Sequence, residues 1–325
     1  YKVQESKTGE WYVLNEVPQT AVLKQDQITT LTFTNEKKKG QIKVIKVDAD
    51  YNEVKLKDVE FKIYDEKGKE IETLKTDVNG EATSKKLPID QTYTVKETKT
   101  QSTYILNETP ETVILKENQI TNITFKNKKK EGNLKLFKVD SDNHKITIGG
   151  VEFYLYSNEF KKIIGTYTTN ADGEISVKNL RVGKYSWIEK VTNIFYNLAD
   201  DTNVEVKWKD TTETTIENEL KKGQVKIIKV DKDNNDVKLA NVKFEILDEK
   251  GNFLETLITD KNGEAITSKY AIRDYEKLVI REIETHENYV LNKNPKTIVL
   301  EENQIKTIKF ENERIRGNIE ITKVS

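Results

Sequence analysis

The 325-residue chain contains no cysteine and no methionine, and only two histidines, His144 and His286. Without cysteine there is no disulfide, no thiolate metal site and no cysteine nucleophile, so any covalent reinforcement must come from other side chains. Two histidines leave almost no material for a His-based metal centre or a Ser-His-Asp relay, which argues against hydrolytic turnover on an external substrate. With no methionine, and with residue 1 already inside a strand-like run, the sequence is expected to be a piece of a longer protein, so that a targeting signal is not to be looked for in it. An excess of either charge is also missing: 54 Lys and Arg against 55 Asp and Glu give a net charge of −1. A nucleic-acid partner would ask for a strongly basic face, so none is expected. No run approaches the roughly 18 consecutive apolar residues that cross a bilayer, so no membrane span is expected in this piece. P-loop, dinucleotide and zinc spacings are absent, and neither a metal nor a cofactor is expected.

What is present is repetition. The segments GQIKVIKVD, GNLKLFKVD, GQVKIIKVD and GNIEITKVS begin at Gly40, Gly132, Gly223 and Gly317, which are 92, 91 and 94 residues apart. The expected organisation is the last part of one repeat (1–37), three complete repeats (40–129, 132–220 and 223–314) and the first strand of another (317–325). A unit of about 90 residues can bury a core of its own, unlike the short units of a solenoid. Joints such as Lys37-Lys38-Lys39-Gly40 and Lys221-Lys222-Gly223 are short and basic, and read as solvated linkers that keep neighbouring repeats close.

Within a repeat, short alternating runs are separated by turn signals, which predicts an all-β sandwich. Asn79-Gly80, Asp172-Gly173 and Asn262-Gly263 fall at matching places and supply the positive φ of tight turns. Asp48-Ala49-Asp50 and its counterparts at Asp140 and Asp231 look like the start of a calcium loop, but the glycine and glutamate that such a loop needs are missing. Asn107 and Asn122 fit a glycosylation pattern that matters only in a eukaryotic secretory pathway.

Residues i, i+2 and i+4 of a strand share a face. The apolar stripe of each opening strand ends on a lysine: Ile42, Val44, Lys46; Leu134, Leu136, Lys138; Val225, Ile227, Lys229; and Ile319, Ile321, Lys323. A later strand places a carboxylate on the stripe, as Glu97, Glu189 and Glu282, with Glu5 in the leading segment. The last strand places an amide there, as Asn127, Asn218 and Asn312, with Asn35 leading. A buried ion must pair, move toward neutrality or react. Two readings follow. One is a buried Lys-Glu-Asn hydrogen-bond network. The other is a reaction in which the amine attacks the Asn carbonyl, Glu polarises it and shuttles protons, and ammonia leaves behind a Lys-Asn isopeptide.

The opening G-x-x-x-x-x-K-V-D, the Y-x-x-x-E of YTVKETK and the closing F-x-N together resemble the B-type repeats of Gram-positive collagen adhesins and the SpaA-like, prealbumin-like pilin domains. The resemblance covers the whole chain. It implies a tandem array of inverse immunoglobulin-like (prealbumin-like) β-sandwiches whose first and last strands are joined by an autocatalytic isopeptide bond. By position it implies cross-links Lys46–Asn127, Lys138–Asn218 and Lys229–Asn312, with Glu97, Glu189 and Glu282 as proton shuttles. The family pattern often continues E-T-K-A-P-x-G-Y, whereas here it reads ETKTQSTY, EKVTNIFY, EIETHENY and ESKTGEWY. Tyr12, Tyr104, Tyr196 and Tyr289 keep a fixed offset of seven from the glutamate and read as core or sheet-edge anchors. The middle repeat departs most, with Ile216 for Phe. Glu5 and Asn35 lack a lysine, and Lys323 lacks both partners.

The function expected from the resemblance is a structural stalk of a cell-wall-anchored, extracellular surface adhesin of a Gram-positive bacterium, reacting once with itself and turning over nothing. Its partners would be the neighbouring repeats, and a host matrix protein met through a head domain outside this piece. The alternatives are a module that binds collagen or fibronectin, or a pilin subunit.

Overall fold

The computed structural model describes residues 1–323, and every regular element among them is a β-strand. Contacts divide the chain into two compact units. The first holds Tyr1–Asn133, Lys178–Gly183 and Val206–Thr211, and the second Leu134–Val177, Lys184–Glu205 and the rest from Thr212. The middle repeat is thus shared between them.

In the first repeat, the opening strand Lys39–Asp48 lies between the closing strand Ile120–Asn127, which runs parallel to it, and the short antiparallel strand Glu81–Thr83. The opposing sheet orders Glu70–Lys75, Glu60–Tyr64, Thr92–Lys99 and Glu111–Ile114. Its pairings are antiparallel. The third repeat has the same plan: Lys222–Asp231 pairs in parallel with Ile305–Asn312 and antiparallel with Glu264–Ile266, opposite a sheet centred on Lys243–Leu247 and Lys277–Glu284. In the middle repeat, Glu131–Asp140 lies between Glu174–Arg181 and Thr211–Asn218. A first and a last strand side by side, running the same way, is the inverse sandwich anticipated from the resemblance.

Alternation explains the layers. Ile42, Val44, Phe61, Ile63, Tyr93, Val95 and Phe125 turn inward to one core in the first repeat. Val225, Ile227, Phe244, Ile246, Leu278, Ile280 and Phe310 do so in the third. Ring pairs close both cores, Phe61 with Phe125 at 4.8 Å and Phe244 with Phe310 at 4.9 Å. Where the third repeat has Phe310, the middle one has Ile216, and its core aromatics are Phe153 and Trp187, 6.0 Å apart edge to face.

One glycine per repeat is fixed by the lysine strand. Gly80, Gly173 and Gly263 have φ of 71°, 73° and 67°, and a Cβ on any of them would come within 2.5 Å of the lysine's own carbonyl oxygen. Each of these glycines also accepts a hydrogen bond from that lysine's backbone N–H at 2.7 Å. Only glycine fits a left-handed turn seated this closely against the opening strand.

The ends of the chain depart from expectation. Residues 1–37 form one short ladder, Lys2–Val3 with Gln19–Thr20, and Leu31–Asn35 is not a strand. An opening strand was expected at 317–325, but Gly317–Lys323 adopt none, and Val324 and Ser325 lie outside the described residues. Strands exist by pairing. Neither segment has, among the described residues, the rest of the sandwich to pair with.

Candidate functional site

The outermost polar residue of each inward stripe brings three strands to one point. Lys46 stands near the end of the opening strand and Asn127 ends the parallel closing strand, with Phe125 directly across from Lys46. Glu97 comes from the facing sheet, where it pairs with Phe61 at a register shift between Glu60 and Phe61. Matching shifts lie between Glu152 and Phe153 and between Lys243 and Phe244, beside Glu189 and Glu282. A bulge at this place bends the strand and aims the carboxylate.

The three lysines are fully buried, and the glutamates and asparagines nearly so. In the first repeat, Lys46 Nζ donates to Asn127 Oδ1 at 2.5 Å, and Asn127 Nδ2 donates to Glu97 Oε1 at 2.5 Å. Glu97 Oε2 lies 2.9 Å from Nζ, at ion-pair distance. The third repeat repeats this: Lys229 donates to Asn312 Oδ1, Asn312 Nδ2 donates to Glu282 Oε1 at 2.5 Å, and Glu282 Oε2 is 2.9 Å from Nζ. In the middle repeat, Lys138 donates to Asn218 Oδ1, Asn218 Nδ2 donates to Glu189 Oε1 at 2.6 Å, and Glu189 Oε2 is 3.2 Å from Nζ. Here Oε2 also accepts the Ala199 N–H at 3.0 Å. All nine residues singled out from strand parity therefore meet, three by three.

Burial lowers the pKa of Lys46, Lys138 and Lys229 below the ordinary lysine value and outweighs the opposite pull of the paired carboxylate. The arrangement thus holds an amine tending toward neutrality against an amide carbonyl, with a carboxylate touching both. That set can bond covalently or remain a network.

A fourth residue in each site was not anticipated. Asn127 Nδ2 also donates to Thr100 Oγ1 at 2.9 Å, Asn218 Nδ2 to Thr192 at 2.7 Å, and Asn312 Nδ2 to Thr285 at 2.6 Å. The signal was legible, since Thr follows each Glu by three positions in ETKT, EKVT, EIET and ESKT. In the leading segment, Asn35 Nδ2 donates to Glu5 Oε1 at 2.7 Å and to Thr8, while the buried Asn35 Oδ1, where a lysine would sit, has no partner among the described residues. Tyr104, Tyr196 and Tyr289 are buried as the anchor reading expected, whereas Tyr12 of the leading segment is exposed. No cluster of three or more His, Asp or Glu that could hold a metal ion occurs among the described residues, and no helix is long and apolar enough to cross a membrane.

A family model described as SpaA, prealbumin-like fold domain, matches residues 40–129, 132–220 and 223–314. No curated protein sequence matches the chain. Among solved structures, the Bacillus anthracis TIE protein is similar over 93% of this chain at 24% identity with a TM-score of 0.51. The chain spans 55% of that structure's length. BcpA, the major pilin subunit of Bacillus cereus, aligns over 86% of this chain and 100% of its own at 15% identity and a TM-score of 0.37. A streptococcal ancillary pilin aligns over 85% and 99% at 17% identity and 0.32. The first of these supports a shared fold.

Proposed function

Because the chain belongs to the SpaA prealbumin-like fold domain family, we propose that its repeats are structural modules of a Gram-positive surface stalk, each closed by an autocatalytic Lys-Asn isopeptide bond. The observation that carries this reading is the repeated, fully buried contact of a lysine Nζ with an asparagine side-chain carbonyl and a glutamate carboxylate.

The reaction follows from the placement of the atoms. Nζ passes a proton to Glu97 Oε2 and, as the free amine, attacks Asn127 Cγ. The carboxyl group returns the proton to Nδ2, the Cγ–Nδ2 bond breaks and ammonia leaves. The surplus proton of the original ammonium departs with it as ammonium ion. One C–N bond forms and one breaks, and Glu97 ends as it began. Fixed proximity in a dry core can supply roughly 7 to 11 kcal/mol of the barrier, which lets an inert amide react without an external catalyst. The step consumes its own side chains and occurs once.

A bond between the ends of the opening and closing strands routes tension past the sandwich, which suits a stalk projecting a head domain from a cell wall. Protease digestion followed by peptide mapping tests the chemistry. Branched peptides joining the Lys46 and Asn127 segments are expected, with equivalents in the other repeats. Only linear peptides would leave the network reading in its place.

The threonine acts as a positioning residue that fixes the departing nitrogen. Thr100→Val is expected to slow bond formation in the first repeat about tenfold, the effect of one lost hydrogen bond to the reacting group, while Thr100→Ser keeps the parent rate. Time-resolved intact mass after a short pulse of synthesis reads both. Equal rates for the Val and parent chains would remove the threonine from the mechanism.

A further inference from the structure

Each repeat buries a second carboxylate, two positions beyond the lysine on the opening strand. Asp48, Asp140 and Asp231 are at most 1% exposed. Each takes a hydrogen bond on Oδ2 from a tyrosine hydroxyl at 2.8 Å, from Tyr104, Tyr196 and Tyr289 respectively. On Oδ1 each accepts two backbone N–H groups of the turn that follows. The neutral donors hold the anion in place without cancelling its charge, and a buried carboxylate calls for a cation.

A guanidinium answers in every repeat, from three different places. Arg181, of the middle repeat, reaches Asp48 with both terminal nitrogens, puts Nη1 3.0 Å from Asp50 Oδ2, and lies 5.0 Å from the Tyr51 ring. Arg273, of the third repeat, sets Nη1 3.1 Å from Tyr196 Oη and 3.9 Å from Asp140 Oδ2. Asp48 and Arg181 belong to the first compact unit, and Asp140 and Arg273 to the second. These two arginines are not equivalent in the repeat. Val182 and Ile272 make the same backbone bond, to the carbonyls of Lys130 and Lys221, and Arg181 precedes the one while Arg273 follows the other. In the third repeat, Arg314 of the segment after the closing strand donates to Asp231 Oδ2 from Nε at 2.6 Å.

Arrival at one site from unequal sequence positions points to the site, not to the arginine's place in the repeat. We infer that each Asp–Tyr pair is a guanidinium socket that receives an arginine of the following repeat and fixes the joint between them, and that Arg314 fills the third socket in cis. The fork geometry matters in the first socket, where Arg181 meets both oxygens of Asp48 with separate nitrogens, a two-point grip that a lysine ammonium, a single point charge, does not reproduce. This inference does not depend on the isopeptide reading.

The absence of cysteine makes the test direct, since two introduced cysteines are the only labelling sites. Spin labels at Lys67→Cys and Lys178→Cys, exposed positions in the first and middle repeats within the compact unit that holds Asp48 and Arg181, report the joint by pulsed electron paramagnetic resonance on the full chain. The parent is expected to give a narrow distance distribution, and Arg181→Ala one about twofold broader or more, with Asp48→Asn matching it. Arg181→Lys, which keeps the aliphatic stem, is also expected to broaden it. Arg281→Ala, at an exposed arginine paired with Glu245 outside any socket, is expected to change nothing. A second label pair placed inside the middle repeat separates joint motion from unfolding. If Arg181→Lys and Arg181→Ala leave the inter-repeat width at the parent value, the socket does not fix the joint.

Discussion

Glu97→Ala is expected to leave the first repeat without its cross-link and to destabilise it by more than the bond contributes. The two losses are separate. A bond joining residues 81 positions apart removes loop entropy from the unfolded chain worth about 4 to 5 kcal/mol in the chain-entropy account. Removing the carboxylate also strands Lys46 in the core, 0% exposed, and breaking a buried pair from one side costs about 3 to 5 kcal/mol. Urea unfolding is therefore expected to show the first repeat melting well before the other two, with one ammonia retained in the intact mass. Adding Lys46→Met to Glu97→Ala removes the stranded charge, so it recovers the second loss and not the first. If the single variant still sheds three ammonias, Glu97 is not the proton carrier.

Asn127→Ala carries the largest mechanical effect. The opening and closing strands run parallel from Gln41 against Ile120 to Asp48 against Asn127, so tension between repeats shears that ladder unless a covalent route bypasses it. With the bond in place, the chain between Lys46 and Asn127 is shielded from load. Single-molecule pulling on the parent is expected to show no unfolding step from the three repeats. Asn127→Ala is expected to add one step that releases the whole repeat from Lys39 to Asn127, a contour of up to about 310 Å at some 3.5 Å per extended residue. Three such steps in the parent would show that the repeats unfold like ordinary sandwiches.

Much of this was legible in the sequence because strand parity is a strict rule. Lys46, Glu97 and Asn127 share a stripe with Ile42, Tyr93 and Ile123, and a polar residue on that stripe has to meet another. Parity and spacing point to a Lys-Glu-Asn cluster and leave open whether it reacts. The resemblance implies the bond, and the parallel register of the opening and closing strands is the physical reason that lysine and asparagine meet. Thr100 lies just beyond the bulge, where the alternation that marks the other residues breaks. In the sequence, Asp48 has only the look of a metal ligand. Its partners, Tyr104 and Arg181, lie 56 and 133 positions away, and no local pattern links them. The short ladder at Lys2–Val3 and the unpaired Gly317–Lys323 show the limit of periodicity: alternation gives a strand its faces, but only a neighbouring strand gives it existence.

The most direct measurement is the intact mass of the denatured chain. Three closed cross-links give a mass below that of the sequence by three molecules of ammonia, with Glu97→Ala, Glu189→Ala and Glu282→Ala each expected to restore one. A mass equal to that of the sequence would contradict the cross-links and leave three buried Lys-Glu-Asn networks holding an extensible sandwich.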